Sequence, residues 1–556
     1  MYFLSIIVYH APLKKSSYYK IISRWIAHAI FVTTLSNNLQ KNITFVKHLL
    51  PSEDILTYEF QTQDQTPCAV VYADGMVNKQ LIGELIARPL SSLCLAKGSA
   101  SAQSGKPLRS KKQNGSAQEN GEGKNSPKNQ NERGKVEDTL ELIKKSALFP
   151  EVKEQEKWED AVKEVLDGNV LLLVEGVNAG IVLGAKLLPN RAVMEPPSDV
   201  AVKGPREGFI EDVKTNMTLV RKRLKTPDLR FESVRIGRRS DTLVTLCWLD
   251  GTSNLAVKEE LLEGLKGIDV DFIPDSSYIS AFLSPRKHSL FHAFGKTEKP
   301  DVFCAKICEG RVGILVDGSP IALTAPFLLT EDLQSSEDYF ISPFAATIFR
   351  VLRVVSLLVA ILLPAFYVSA QLFKIQLLPL GLTLTIASSV RELPLSPSLE
   401  MFVVLFLLET LKEASIRMPK YVGMSLSVVG ALVLGETAVS AGFLSTPAII
   451  IVAFSGICLY TVPNFVETGS VLRWLFLLVA GSVGPFGIVL LSAFLLYYLL
   501  TTDSFSTPIL APFSPLNLHD LRDSAVKYDL FSLKTRPKVL RSKNKTRLKA
   551  PSPKED

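Results

Sequence analysis

The sequence predicts an α/β cytoplasmic region of two small subdomains followed by a multi-span α-helical membrane domain. Three observations carry that expectation. Short strand-like runs alternate with helical apolar periodicity up to about residue 345. Beyond it, three stretches hold no charge at all: Arg353 to Lys374, Glu436 to Glu467 and Arg473 to Asp503. The formal charge of +7 is gathered at the end, where Lys527 to Asp556 holds ten Lys or Arg against three acids. About 20 consecutive apolar residues are what a helix needs to cross a bilayer, because lipid offers backbone groups no partner.

Residues 1–35 form an atypical N-terminal extension. Met1 to Val8 is apolar but precedes Lys14, Lys15 and Lys20, the reverse of a secretory leader. Ile21, Ile22, Trp25, Ile26, Ala29 and Ile30 share one helical face, which suits a helix lying on the membrane surface or one packed on the next domain.

The first α/β subdomain is expected over 36–96. Leu39, Ile43, Val46, Leu49 and Leu50 have helical spacing, Ile55–Phe60 and Cys68–Tyr72 read as strands, and Leu81–Ala87 returns to helix. Residues 97–135, rich in Ser, Gly, Asn, Gln and Lys and devoid of aromatics, read as a disordered linker.

A second α/β subdomain is expected over 136–345. Asn169–Glu175 and Gly180–Leu188 read as paired strands, and Gly204 with Pro205 as the start of a helix that buries Phe209, Val213, Met217, Val220 and Leu224. Further strands are expected at Leu229–Ile236, Thr242–Leu249, Val302–Ile307 and Val312–Val316, with a helix at Val257–Leu265. Cys304 and Cys308 then fall on a strand as small apolar residues.

The membrane domain is expected over 346–503 with four to six segments. Arg350 and Arg353 precede the first run and place the preceding half in the cytoplasm. Glu409, Glu413 and Arg417 recur at steps of four, suited to an ion pair along one helix. In Tyr421–Gly435 the small residues Gly423, Ser427, Ala431 and Gly435 also recur every four, with Gly430 close to the same face. That stripe lets helices approach closely, within one subunit or around a pore that Val428 or Val429 would constrict. Residues 504–556 form a cytoplasmic basic tail, attracted to anionic lipid head groups rather than to nucleic acid, since few aromatics accompany the charge.

No chemistry is evident. The six cysteines are scattered, the six histidines form no ligand set, and neither a phosphate-binding loop nor a nucleophile elbow occurs. The reading is of a non-enzyme with no cofactor and no metal site.

The stretch Glu195 to Gly251 carries a more specific signal. It includes GPREGF (Gly204, Pro205, Arg206, Glu207, Gly208, Phe209), then Asn216, the run Arg221 to Leu224, and IGRRSDT with Arg238 and Arg239. Together with AIIIVAF, VPN at Pro463–Asn464 and LAPFSPLNLHDLRDS at Leu510–Ser524, it resembles the A subunit of the GerA family of spore germinant receptors. The resemblance spans roughly Leu35 to Phe531. It implies a multi-pass protein of the spore inner membrane, its N- and C-terminal regions on the core side, acting with a transporter-like B subunit and a lipoprotein C subunit. It also implies self-association into a gated cation pathway that initiates germination. A non-conducting scaffold for B and C subunits, or an accessory paralogue in core-solute release, is the alternative. Arg206, Arg221, Arg223, Arg238 and Arg239 are then candidates to link subunits or meet acidic partners.

Overall fold

A computed structural model describes residues 34–92, 151–187, 203–287, 289–377, 379–390, 393–419, 422, 430, 433–524 and 526–548. The helix expected over Ile21–Ile30, the linker over 97–135 and most of the small-residue stripe lie outside them.

Two five-stranded sheets, each covered by helices on both faces, precede a block of apolar helices. The first sheet has the order β1-β2-β4-β5-β3, built from β1 (Ile55–Gln61), β2 (Pro67–Ala73), β3 (Val152–Gln155), β4 (Val170–Val174) and β5 (Gly180–Leu183). Every pairing in it is antiparallel. Strand alternation separates its two cores. Ala69, Val71, Leu171 and Leu173 meet helix α1 (Leu39–Leu49) and helix α2 (Trp158–Leu166), while Cys68, Val70, Val170 and Leu172 meet Ile82, Ile86 and Leu90. Burial on both faces explains the unbroken apolar run VLLLV of β4.

This sheet corrects the division at the linker. β3, β4 and β5 were expected in the second subdomain, yet β4 pairs directly with β2. The segment between residues 92 and 151 is therefore an insertion within one sheet, and the described elements of the second unit start at Val213. Composition marks where a chain stops burying surface, not which strands it later pairs.

The second sheet has the order β6-β7-β9-β10-β8, from β6 (Leu229–Ile236), β7 (Thr242–Leu249), β8 (Gly295–Thr297), β9 (Val312–Val316) and β10 (Ala322–Ala325). Helices α3 (Val213–Arg223) and α6 (Pro300–Glu309) cover one face; α4 (Leu255–Lys266) and α5 (Ser276–Leu283) cover the other. The strand expected at Val302–Ile307 is α6. Its apolar, branched residues suit a strand, but Pro300 in the first turn, Asp301 beside it and Gly310 at φ 114° as the left-handed cap punctuate a helix. Cys304 and Cys308 thus lie one turn apart on a helix, Cys304 buried against the sheet. Gly313 of β9 leaves room for the helix: a Cβ there would stand 2.1 Å from Phe303 Cζ.

The helix expected to open at Gly204–Pro205 opens instead at Val213. Asp212 is its cap, with Oδ2 accepting the Thr215 amide at 2.9 Å.

In the C-terminal region, α7 (Pro343–Phe373) is followed by α8 (Leu380–Val390), α9 (Pro397–Arg417), α10 (Thr446–Leu459), α11 (Val466–Val483) and α12 (Pro485–Leu500). Among the described residues, Pro343–Phe373 and Pro463–Val483 are long and apolar enough to cross a membrane. The other two charge-free runs do not make single helices. From Glu436 to Glu467 only the 14 residues of α10 form a long helix, about 21 Å at 1.5 Å per residue against a hydrocarbon core of about 30 Å. The run after Arg473 breaks at Gly484, whose φ of 74° is left-handed and whose missing Cβ would stand 2.7 Å from the Phe373 ring. Arg350 and Arg353 lie within α7 rather than ahead of it.

Candidate functional site: where the sheets meet the helices

GPREGF lies in an irregular segment, not at a helix start. Gly204 has φ 116°, and a Cβ there would stand 2.6 Å from the Phe340 ring. Pro205 follows it directly, and further on the Phe209 amide donates to Glu298 O at 2.7 Å. Phe209 is buried, edge-on to Phe303 at 5.5 Å. Beyond Gly208 and Phe209, the buried Asn216 side chain brackets the segment, accepting from Ile210 N and donating to Ile210 O. Glu207 pairs with Lys222 and Arg223, both at 2.8 Å.

Those contacts revise the arginine candidates. Arg221 is 1% exposed and lies bidentate on Asp54, with Leu229 O and Thr226 O taking further donors. It joins the two α/β units and is closed to any partner. Arg223 is held by Glu207. Arg238 and Arg239 sit in the turn between β6 and β7, with side chains 64% and 84% exposed beside Asp269 and Asp271. Of the arginines proposed as subunit contacts, Arg206, Arg238 and Arg239 are the exposed ones in the described structure.

The α/β half is fastened to the helices through buried charge. Asp338, 1% exposed, receives Arg350 at 3.1 Å and Arg353 at 2.8 Å. Burial pushes its carboxyl up, and the two guanidinium groups more than offset that, leaving it below the usual carboxylate range. Arg350 also donates to the Asp523 carbonyl. Asp523 in turn pairs with Lys527 at 3.1 Å, and the Lys527 ammonium lies 3.7 Å from the centre of the Tyr339 ring. The expected orientation signal is therefore a buried clamp, in which α7, the loop before it and the tail share one set of charges.

Further links run alongside. Thr468 Oγ1 donates to Leu290 O at 2.7 Å, and Tyr498 Oη to Ser289 Oγ at 3.0 Å. Asp332 takes the Asn464 side chain of the VPN motif, near Lys296 and Lys306, and burial pushes its carboxyl up to about 7. The tail, expected as a charged extension, folds back on the second sheet unit. Arg536 donates to Cys308 O, and Ser542 to Glu309 O at 3.2 Å.

Within the helices, Arg473 is 1% exposed and pairs with Glu409 at 2.5 Å and with Ser455 Oγ at 3.1 Å. Glu413 and Arg417 form the expected pair at 2.5 Å. Glu409, at the same four-residue spacing, instead turns inward to Arg473. Sequence spacing along one helix could not show a partner 64 residues away.

Of the small-residue stripe, Gly423, Ser427, Val428, Val429 and Ala431 lie outside the described residues. At Gly430 a Cβ would stand 2.8 Å from Leu411 Cδ2 of α9; at Gly435, in a π-helical turn over Val433–Thr437, nothing lies within 4 Å. Among the described residues no group of three or more His, Cys, Asp or Glu is placed to hold a metal ion.

Comparison with known proteins gives a consistent result. A family described as Bacillus/Clostridium GerA spore germination protein matches residues 43–539. Spore germination protein KA of Bacillus subtilis (strain 168) is 29% identical over 518 residues, covering 92% of this chain and 88% of its own. Spore germination protein GerLA of Bacillus cereus is 31% identical over 407 residues, 73% of this chain and 83% of its own. A B. subtilis protein named uncharacterized membrane protein YfkQ is 32% identical over 404 residues, 72% and 79%. Among solved structures, the N-terminal domain of the A subunit of the Bacillus megaterium spore germinant receptor GerK3 aligns with a TM-score of 0.37 and 26% identity, covering 54% of this chain and 98% of that one.

Proposed function

The chain belongs to the GerA family of spore germination proteins, and from that membership we propose that it is the A-type subunit of a nutrient germinant receptor. In this reading it lies in the spore inner membrane with B- and C-type subunits and self-associates. Its helices form a gated cation pathway that starts germination. The observation that carries the reading is the charged clamp of Asp338, Arg350, Arg353 and Asp523. A gate worked by a partner needs an element whose two arrangements the partner can bias. The clamp joins the α/β half and the tail to the longest apolar helix, so a shift in one is felt by the other. The apolar faces of the block support a lipid or subunit environment: in α12, Phe486, Val489, Phe494 and Tyr497 are each more than 60% exposed and only Gly487 is buried.

Reconstitution of the purified chain in planar bilayers tests the reading. A pathway gives cation conductance, raised at rest by Val428→Ala or Val429→Ala and lost with Ser427→Leu or Gly430→Leu, the last forced against Leu411. Absence of conductance in every condition, with the chain folded, would leave the scaffold reading in its place.

A further inference from the structure

We propose that Glu400 is the anchor of a binding site for a small alkali-metal cation inside the helical block. Glu400 lies in the first turn of α9 and has no exposed surface. Its Oε1 accepts the backbone amide of Ser445, the cap of α10. Its Oε2 is buried without a hydrogen-bond partner. No basic side chain among the described residues pairs with it, unlike Glu409, which has Arg473 and Lys412.

A buried carboxylate is costly unless its charge is met and both oxygens are satisfied. The amide at the start of α10 meets one oxygen, and the helix end supplies a fraction of a positive charge. The Ser445 cap that holds Glu400 is itself linked to further oxygen-bearing groups. Tyr367 of α7 interacts with the Ser445 side chain and feels the Glu400 charge. Gln371, one turn on, donates to Tyr367 Oη at 2.9 Å while its own Oε1 is buried and unpartnered. These groups offer an anion and neutral oxygens, with no thiol or imidazole. That is the donor set of a hard cation. Among the described residues no second carboxylate is linked to these groups, which suits a single positive charge. An ionisable side chain kept inside an apolar helical block is the kind of residue found on ion paths.

The proposal deepens the cation-pathway reading and depends on it for the use of the site, not for binding. The test is the thermal stability of the full chain in lipid nanodiscs, with K+ or Na+ replaced by N-methylglucamine at constant ionic strength. Melting should rise with alkali-ion concentration and saturate. Glu400→Gln should abolish the rise, and Glu400→Asp, which keeps the charge on a shorter arm, should move its midpoint by roughly tenfold or more. Should Glu400→Gln not fold, Glu400→Asp with the cation series still decides. A wild-type midpoint indifferent to the cation, a rise unchanged in either variant, or a response to pH alone overturns the site. Cation-dependent stability without bilayer conductance leaves the site standing and removes the pathway reading; conductance without cation-dependent stability does the reverse.

Discussion

The Arg221 guanidinium lies flat on the Asp54 carboxylate, Nε to Oδ2 and Nη2 to Oδ1 both at 2.8 Å, across 167 residues of sequence. Asp54 sits at the entry to β1 and Arg221 near the end of α3, so the pair joins the first sheet unit to the second. Removing one partner from such a pair costs about 3–5 kcal/mol, because the other charge stays buried alone. Arg221→Leu or Asp54→Leu should therefore lower the melting temperature of the full chain by several degrees. The double variant Asp54→Leu/Arg221→Leu should recover part of the loss. A pair that acts chiefly by meeting partner subunits would instead leave the isolated chain unaffected.

Gly204→Ala should destabilise the chain by about 1–3 kcal/mol, the cost of left-handed strain in a residue with a Cβ. The effect has two sources, the φ of 116° and the Phe340 ring 2.6 Å from the added carbon. Phe340→Ala removes only the second, so Gly204→Ala/Phe340→Ala should remain less stable than Phe340→Ala alone. Equal melting of those two would assign the whole effect to the ring.

Much of this architecture was legible because local signals agreed with the final packing. β6, β7, β9 and α4 stand where period and punctuation put them. α6 was misread because Val302, Phe303 and Ile307 suit either element, and the decisive Pro300 and Gly310 lie at its ends. Sheet membership was illegible for a different reason. Nothing local to Val170–Val174 states that its neighbour is Cys68–Val71, beyond a long insertion. Arg350 and Arg353 likewise read as a topology signal, since their partner Asp338 is close in sequence but Asp523 is not. The motif GPREGF is legible as a string, whereas the Phe340 ring that Gly204 accommodates lies far down the chain.

Asp332 sets a pH dependence whose sign follows from its surroundings. Its carboxyl is raised from 3.8 to about 7, first by burial and then by Glu331, against the pull of Lys306, Asn464 and Lys296. The folded chain keeps this proton where the unfolded chain has lost it, so the stabilisation is present below about pH 4 and is lost as pH rises to 7. His292 works oppositely. Burial first, and then Lys296, push it down against Glu467 and a backbone bond with Asn464; its contribution is present above its ordinary pKa and lost as pH falls. Asp332→Asn should flatten the decline in melting temperature between pH 5 and 7.5 and leave the acid-side fall due to His292. A decline of unchanged slope in Asp332→Asn would show that Asp332 is not its source.

The clamp at Asp338 makes a prediction about the tail. Arg350 spans from Asp338 to the Asp523 carbonyl, and Lys527 is nearly buried between Asp523 and Tyr339. Asp338→Asn keeps the shape but removes the charge that gathers both arginines, weakening charge-assisted bonds worth about 1.5–3 kcal/mol. Since limited proteolysis follows the population of the opened segment, tryptic cleavage after Lys527 should accelerate by roughly tenfold or more. Arg353→Lys, which retains one charge but not the two-pronged contact, should accelerate it less. In bilayers the same Asp338→Asn change should alter conductance without touching any pore residue, if the clamp carries the signal. Faster cleavage with unaltered conductance would make the clamp a fastening alone and place the coupling elsewhere in the junction, with Thr468 on Leu290 O and Tyr498 on Ser289 as the contacts next to be cut.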